Sequence, residues 1–99
     1  MRKIKMYVDA IKDEVNGAKE YAEKYVECKA AGHMERANRY KEMANDELKH
    51  AMYQHEMAVE EIEKLSKVYT PPVKMQEEWD KTHKEYAEHS AWIKHILML

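Results

Sequence analysis

The chain has 99 residues and a formal net charge of −2; 36% of its residues are charged, 44% are hydrophobic and none is phenylalanine. This length fits one small domain, and the mixture is typical of helical proteins rather than disordered or fibrous ones. The near-neutral charge gives no electrostatic reason to expect nucleic acid or an anionic membrane as a partner. A single cysteine, Cys28, excludes an intramolecular disulfide.

Neither end of the sequence resembles a targeting or membrane segment. The basic start, MRKIKMYVDAIKDEV, lacks the unbroken apolar run of a signal peptide. The apolar cluster in residues 91–99 is too short and too interrupted to span a bilayer. We therefore expect a soluble cytoplasmic protein with no membrane partner.

The spacing of apolar residues predicts an all-α fold in a single domain, with three helices. The first helix is expected over about residues 3–30, ending before Gly32, which can supply a left-handed cap. The second is expected over about 34–66 and the third over about 72–97, with Thr70 as N-cap and Pro71 in its first turn. The predicted core positions are Ile4, Val8, Ile11, Val15, Ala18, Ala22 and Tyr25, then Ala37, Tyr40, Ala44, Glu47, Ala51, Ala58, Ile62 and Leu65, then Trp79, Tyr86, Ile93 and Leu97.

The short connection after Gly32 predicts that the first two helices form an antiparallel hairpin. Helices of this length reach about 40 to 48 Å at the usual rise per residue. Such a hairpin has more apolar edge than one shorter helix can cover. We therefore expect a homodimer that completes a helical bundle, with a larger ring as a further possibility.

Two glutamates fall where apolar residues are expected. Glu47 lies within the core stripe of the second helix, and Glu14 borders that of the first. The two positions are equidistant from the turn, so they should face each other, with His50 one turn beyond Glu47. An isolated buried carboxylate is costly unless it is paired, protonated or bound to a metal. Glu14, Glu47 and His50 are therefore predicted metal ligands.

This ligand set amounts to half of a dinuclear carboxylate site, which uses two glutamates and two Glu-x-x-His motifs in one bundle. The chain has one such motif at Glu47 and His50, so a two-fold axis would have to supply the rest. Carboxylates with one imidazole per ion suit iron, or manganese, better than structural zinc. We expect two iron ions per dimer.

Glu14, Tyr21 and the run Glu47-Leu48-Lys49-His50-Ala51 resemble the first helix pair of bacterioferritins and rubrerythrins, where a glutamate precedes Glu-x-x-His-Ala by the same 33 residues. The resemblance covers about residues 8–66, half of a ferritin-like bundle. It implies a ferritin-like di-iron protein in which Glu14 and His50 are terminal ligands and Glu47 bridges. It also implies that Tyr21 hydrogen-bonds a ligand or donates an electron.

Differences between this sequence and those families restrict the cofactors and partners that we expect. Leu48 stands where bacterioferritins have a haem-ligating methionine, so no haem is expected, and the cysteine-rich module of rubrerythrins is absent. A short single-motif chain is most similar to encapsulated ferritins, although residues 95–99 resemble no shell-targeting peptide. On the third helix, Asp80, His83, Glu85 and His89 lack the usual ligand spacing, and their part in the site stays open.

The expected activity is that of a ferroxidase, which oxidises Fe²⁺ with O₂ or peroxide at a site between subunits. One alternative is a rubrerythrin-like peroxide reductase supplied by an external electron donor. Another is a metal-free helical assembly or interaction module, in which Glu14 and Glu47 pair with lysine or histidine. His55 is expected to be an interior or interface histidine rather than a ligand.

Overall fold

A computed structural model describes residues 2–99, which form three helices and no strand. The helices are α1 (Arg2–Ala30), α2 (Met34–Ser66) and α3 (Val73–Met98). Together they make a rod of 55 × 17 × 17 Å. The predicted all-α class is confirmed. Within the described residues, no helix is both long and apolar enough to cross a membrane.

The turn between α1 and α2 is a glycine-capped helix end. Gly32 has φ of +80°, a conformation that is unfavourable for residues that carry a Cβ. The Gly32 N–H donates to the Lys29 carbonyl, and the His33 N–H donates to the Cys28 carbonyl at 2.8 Å. These two bonds form a Schellman motif, which satisfies carbonyls that the end of α1 would leave unpaired. Gly32 caps the helix as predicted.

α1 and α2 run antiparallel, since their contacts follow opposite orders along the two helices. Tyr21 stacks on Tyr40 near the turn, and Lys3 approaches Glu61 at the far end. The predicted core positions of α1 are all buried. On α2, buried alanines recur every seven residues, a repeat that lets two helix backbones approach closely in coiled-coil fashion. They are Ala37, Ala44, Ala51 and Ala58, each fully buried.

α3 runs parallel to α1 and covers one side of the α1–α2 pair. Lys12 of α1 lies 3.9 Å from Glu78 near the start of α3, and Lys29 donates to the carbonyl of Leu99 at its end. Ile93 and Leu97 are buried in the core. Burial of these apolar side chains supplies most of the free energy that holds the third helix.

The predicted N-cap of α3 is wrong. The cap is Pro72, the helix begins at Val73, and the first helical hydrogen bond runs from the Gln76 N–H to the Pro72 carbonyl. A proline disfavours helical backbone in the residue before it, so Pro71 and Pro72 keep Thr70 and Pro71 out of the helix. Pro72 itself is extended, with ψ of 145°.

The core differs from the predicted stripes. Five predicted aliphatic or aromatic core residues are only half-buried, namely Tyr40, Ile62, Leu65, Trp79 and Tyr86. Leu48 of α2 is buried, because α2 contacts α3 as well as α1. On α3, Thr82 and Ser90 are buried, and their hydroxyls have no hydrogen-bond partner among residues 2–99. Glu47, by contrast, is only half-buried. It lies at the border of the α1–α2 interface rather than inside it.

Candidate metal centre

The structure brings Glu14, Glu47 and His50 together on one face of the α1–α2 pair. One ligand atom from each residue lies within 4.8 Å of the others. His50 Nδ1 is 3.5 Å from Glu14 Oε2 and 3.8 Å from Glu47 Oε1. Glu47 and His50 are three residues apart on one helix, so they are neighbours on its surface. Glu14 completes the group from the opposite helix.

The turn sets the register that opposes Glu14 and Glu47. Because α1 ends and α2 begins within a few residues of Gly32, positions equally far from the turn return to the same level. The alanines one turn on either side of Glu47, Ala44 and Ala51, are fully buried and hold the two helices close together. The backbone therefore delivers both carboxylates to one place.

Gly17 provides the space that the Glu47 carboxylate occupies. A Cβ at position 17 would lie 2.9 Å from Glu47 Oε2 and 3.5 Å from its carboxyl carbon. Glycine inside a helix costs about 1 kcal/mol relative to alanine. Gly17 is one turn beyond Glu14 on the same helix, so the residue without a side chain lies next to the carboxylate pair. The sequence reasoning missed it; a glycine three residues after a candidate ligand was the available signal.

The neighbouring Glu14 perturbs the carboxyl group of Glu47. A hydrogen bond with Glu14, partial burial and the Glu14 charge raise the pKa of Glu47, while nearby His50 opposes this rise. In that hydrogen bond a protonated Glu47 donates to a Glu14 oxygen. When both groups are ionised, they place two negative charges in a small space beside one imidazole. A cation at this point would relieve their repulsion.

α3 lies on the other side of the α1–α2 pair and contributes no residue to this group. His83 contacts His55, and Asp80 accepts a hydrogen bond from Gln76. Glu85 and His89 line a cavity of about 140 Å³ between α1 and α3. The side chains of Glu14 and Glu47 retain about a quarter of their full exposure, and His50 about half. Their open side is not covered by any other part of residues 2–99.

Tyr21 lies nearer the turn than the three predicted ligands. Its ring stacks on Tyr40 with centroids 6.2 Å apart. The side-chain hydrogen bonds among residues 2–99 include none between the Tyr21 hydroxyl and Glu14 or Glu47. Leu48 is buried on the side of α2 that faces α3. It packs near Tyr86 and Ser90 rather than near the carboxylates.

The donor set fits a divalent metal ion. Ligand atoms around one ion with bonds of about 2.1 Å are separated by about 3 to 4 Å. The two distances from His50 Nδ1, 3.5 and 3.8 Å, lie in that range. Carboxylate oxygen combined with imidazole is a usual environment for iron and manganese. Three protein ligands leave further coordination positions for water, substrate or another chain.

Comparisons with protein families, curated proteins and solved structures find no match to this chain.

Proposed function

We propose that the chain is a ferritin-like, non-haem di-iron protein that oxidises Fe²⁺ at a site shared by two copies of the helical hairpin. The observation that carries this proposal is the convergence of Glu14, Glu47 and His50 from two helices. Each copy would provide one such set, giving the four carboxylates and two imidazoles typical of di-iron bundles. No haem is part of the proposal, because Leu48 stands where bacterioferritins have a haem-ligating methionine.

The position of α3 supports a site between chains. Because Asp80, His83, Glu85 and His89 all lie elsewhere, the missing ligands have to come from another molecule. A second hairpin can supply them by covering the open side of the three residues.

The surface around the three residues favours such a dimer. Met43, one turn before Glu47, is 40% exposed, and Met57, two turns beyond His50, is 39% exposed. Methionine is flexible and polarisable, which suits a surface that packs against a second copy. Tyr40 lies beside Met43 and is half-buried. Apolar side chains and metal ligands therefore share the face that dimerisation would bury.

In the proposed reaction, two Fe²⁺ ions lose one electron each, and O₂ takes both electrons and two protons to become hydrogen peroxide. With peroxide as oxidant, the same two electrons and two protons give two molecules of water. Iron supplies the redox chemistry, and the chain supplies the geometry and negative charge that stabilise the higher charge of Fe³⁺. Glu47 has room to change its orientation, since Gly17 presents no side chain toward it. A cytoplasmic location would keep both Fe²⁺ and Cys28 reduced.

The test is anaerobic loading of the purified chain with Fe²⁺, followed by metal analysis and sedimentation. We expect about one iron ion per chain and a shift toward dimer on loading. Glu47→Ala should abolish both, whereas Glu60→Ala, which removes an exposed glutamate from the same helix, should change neither. Absence of bound iron in the unsubstituted chain would overturn the proposal. A monomer that binds two irons would overturn the shared site.

Stopped-flow oxidation separates the proposed activity from the alternatives. A ferroxidase should oxidise successive Fe²⁺ ions with O₂ or peroxide and need no other electron donor, whereas a rubrerythrin-like peroxide reductase should react with peroxide and cycle only with an added electron donor. In a metal-free assembly module, Glu14→Gln would alter association without any effect of iron. The three candidate functions therefore differ in the rate of Fe²⁺ oxidation, in the amount of bound iron and in the effect of iron on the oligomeric state.

A further inference from the structure

Two histidines meet where α2 packs against α3. His55 Nε2 of α2 lies 2.8 Å from His83 Nδ1 of α3. His55 is half-buried, whereas His83 is exposed, so the pair opens to solvent on the His83 side. The His55 ring stacks on Tyr86 with centroids 4.6 Å apart and on Trp79 at 5.3 Å. Two aromatic rings therefore hold the imidazole of His55 in place.

The pair is independent of the proposed iron site. Neither histidine belongs to the group formed by Glu14, Glu47 and His50. His55 lies on the side of α2 that faces α3, and the carboxylates lie on the side that α3 leaves open. Failure of the proposed function would leave the reasoning about His55 and His83 unchanged.

We propose that His55 and His83 form a separate metal site, which binds Cu²⁺ or Ni²⁺ through His55 Nε2 and His83 Nδ1 and links α2 to α3. Neighbouring nitrogens of a square-planar ion with bonds of about 2.0 Å are about 2.8 Å apart. The observed separation of 2.8 Å matches this arrangement. A tetrahedral zinc ion has a wider nitrogen separation of about 3.3 Å, so Cu²⁺ and Ni²⁺ require less movement of the two rings than Zn²⁺ does.

The protonation state of His55 suits metal binding. Burial and the neighbouring His83 lower the pKa of His55, so its imidazole is neutral at physiological pH and keeps a free electron pair. In the metal-free chain one ring donates its N–H to the other across the 2.8 Å gap. Binding requires that this proton move to the far nitrogen of its own ring. The two nitrogens then each donate an electron pair to the ion.

The rest of the coordination sphere is open. Because the His83 side chain is exposed, water can occupy the remaining positions, and Glu56 adds a negative charge near His55. Copper is bound most tightly among the divalent first-row metals by nitrogen ligands. The site should therefore rank Cu²⁺ above Ni²⁺ and Ni²⁺ above Zn²⁺ or Mn²⁺.

Quenching of Trp79 fluorescence by CuCl₂ tests the proposal. The chain contains two tryptophans, so the Trp92→Phe variant leaves Trp79, which is 5.3 Å from His55, as the reporter. We expect saturating quenching by one Cu²⁺ per chain, and an electron paramagnetic resonance spectrum with hyperfine coupling from two nitrogens. His83→Ala should weaken the apparent affinity by at least about tenfold. His95→Ala, which removes an exposed histidine from the same helix, should not.

Two further variants keep the result interpretable. His55→Phe preserves stacking on Tyr86 and Trp79 while it removes the ligand, so a folded His55→Phe chain in which Cu²⁺ no longer quenches Trp79 supports the site. His50→Ala removes the imidazole of the carboxylate group. An unchanged apparent affinity in His83→Ala, or loss of Trp79 quenching in His50→Ala, would overturn the proposal, since Cu²⁺ would then bind elsewhere.

Discussion

Replacing Gly17 with alanine tests whether the absence of a side chain at position 17 positions the Glu47 carboxylate. Alanine is favoured over glycine inside a helix by about 1 kcal/mol, so substitution of an unconstrained glycine should stabilise the chain by that amount. At position 17 the new Cβ would lie 2.9 Å from Glu47 Oε2, closer than such atoms pack. Glu47 has to leave its observed rotamer, at a cost of about 0.5–1.5 kcal/mol. The gain and the cost should nearly cancel.

A double-mutant cycle with Glu47→Ala isolates this contact. In the Glu47→Ala background the obstructing carboxylate is gone, so Gly17→Ala should give its full stabilisation of about 1 kcal/mol. That difference corresponds to a rise of about 4–8 °C in Tm for a domain of this size. Asn16→Ala, at an exposed neighbouring position, should stabilise both backgrounds equally. Thermal and urea unfolding in EDTA at matched protein concentration would measure all six proteins, the two backgrounds and the four substituted chains.

Metal affinity supplies the second readout for Gly17. If the proposed iron site is present, Gly17→Ala should weaken Fe²⁺ binding while leaving metal-free stability nearly unchanged. Equal stabilisation by Gly17→Ala in the presence and absence of Glu47 would refute the reasoning. That result would mean that the carboxylate is free to move away without cost.

Three further predictions concern buried or perturbed groups. The pKa of His55 is lowered from 6.5, so the His55 imidazole binds a proton more tightly in the unfolded chain than in the folded one. The free energy of unfolding should therefore fall as pH drops below 6.5. His55→Phe should remove the His55 contribution to this fall, measured as the urea midpoint at each pH. The pKa of Glu47 is raised from 4.5, so metal-free stability should increase as pH falls through the raised value toward 4.5; Glu47→Gln should stabilise the metal-free chain at neutral pH and lack this pH dependence. Thr82→Val removes a buried hydroxyl without a partner and should raise stability by about 1 kcal/mol, with exposed Thr70→Val unchanged. A lower Tm for Thr82→Val would mean that a water molecule satisfies the hydroxyl.

The core of α1 could be predicted in full because its apolar residues follow the helical period along a single face. α2 was harder, since it contacts two helices. Its buried arc extends to Leu48 and reaches His55, which a single stripe does not include. On α3, Thr82 and Ser90 are buried although they are polar, and no hydrophobic pattern can find them.

The opposition of Glu14 and Glu47 could be predicted because residues equally far from a tight turn lie at the same level of the two helices. The contact between His55 and His83 could not. That contact depends on the axial position of α3 relative to α2. The extended connection over residues 67–72, which contains Pro71 and Pro72, does not determine this position. The role of Gly17 was also hidden, since a missing side chain contributes nothing to periodicity.

The seven-residue alanine repeat on α2 lets the distance between the α1 and α2 backbones set the spacing of the candidate ligands. Alanine has no side-chain rotamers, so Ala44 and Ala51 cannot adjust to a change in the distance between α1 and α2. A larger side chain at either position would push α1 and α2 apart by an amount that depends on its size, one turn from Glu47. A series such as Ala51→Ser, Ala51→Val and Ala51→Ile would thus vary the separation of Glu14 from His50 in graded steps. The ligand geometry of this chain could be tuned from its core, without altering a single ligand.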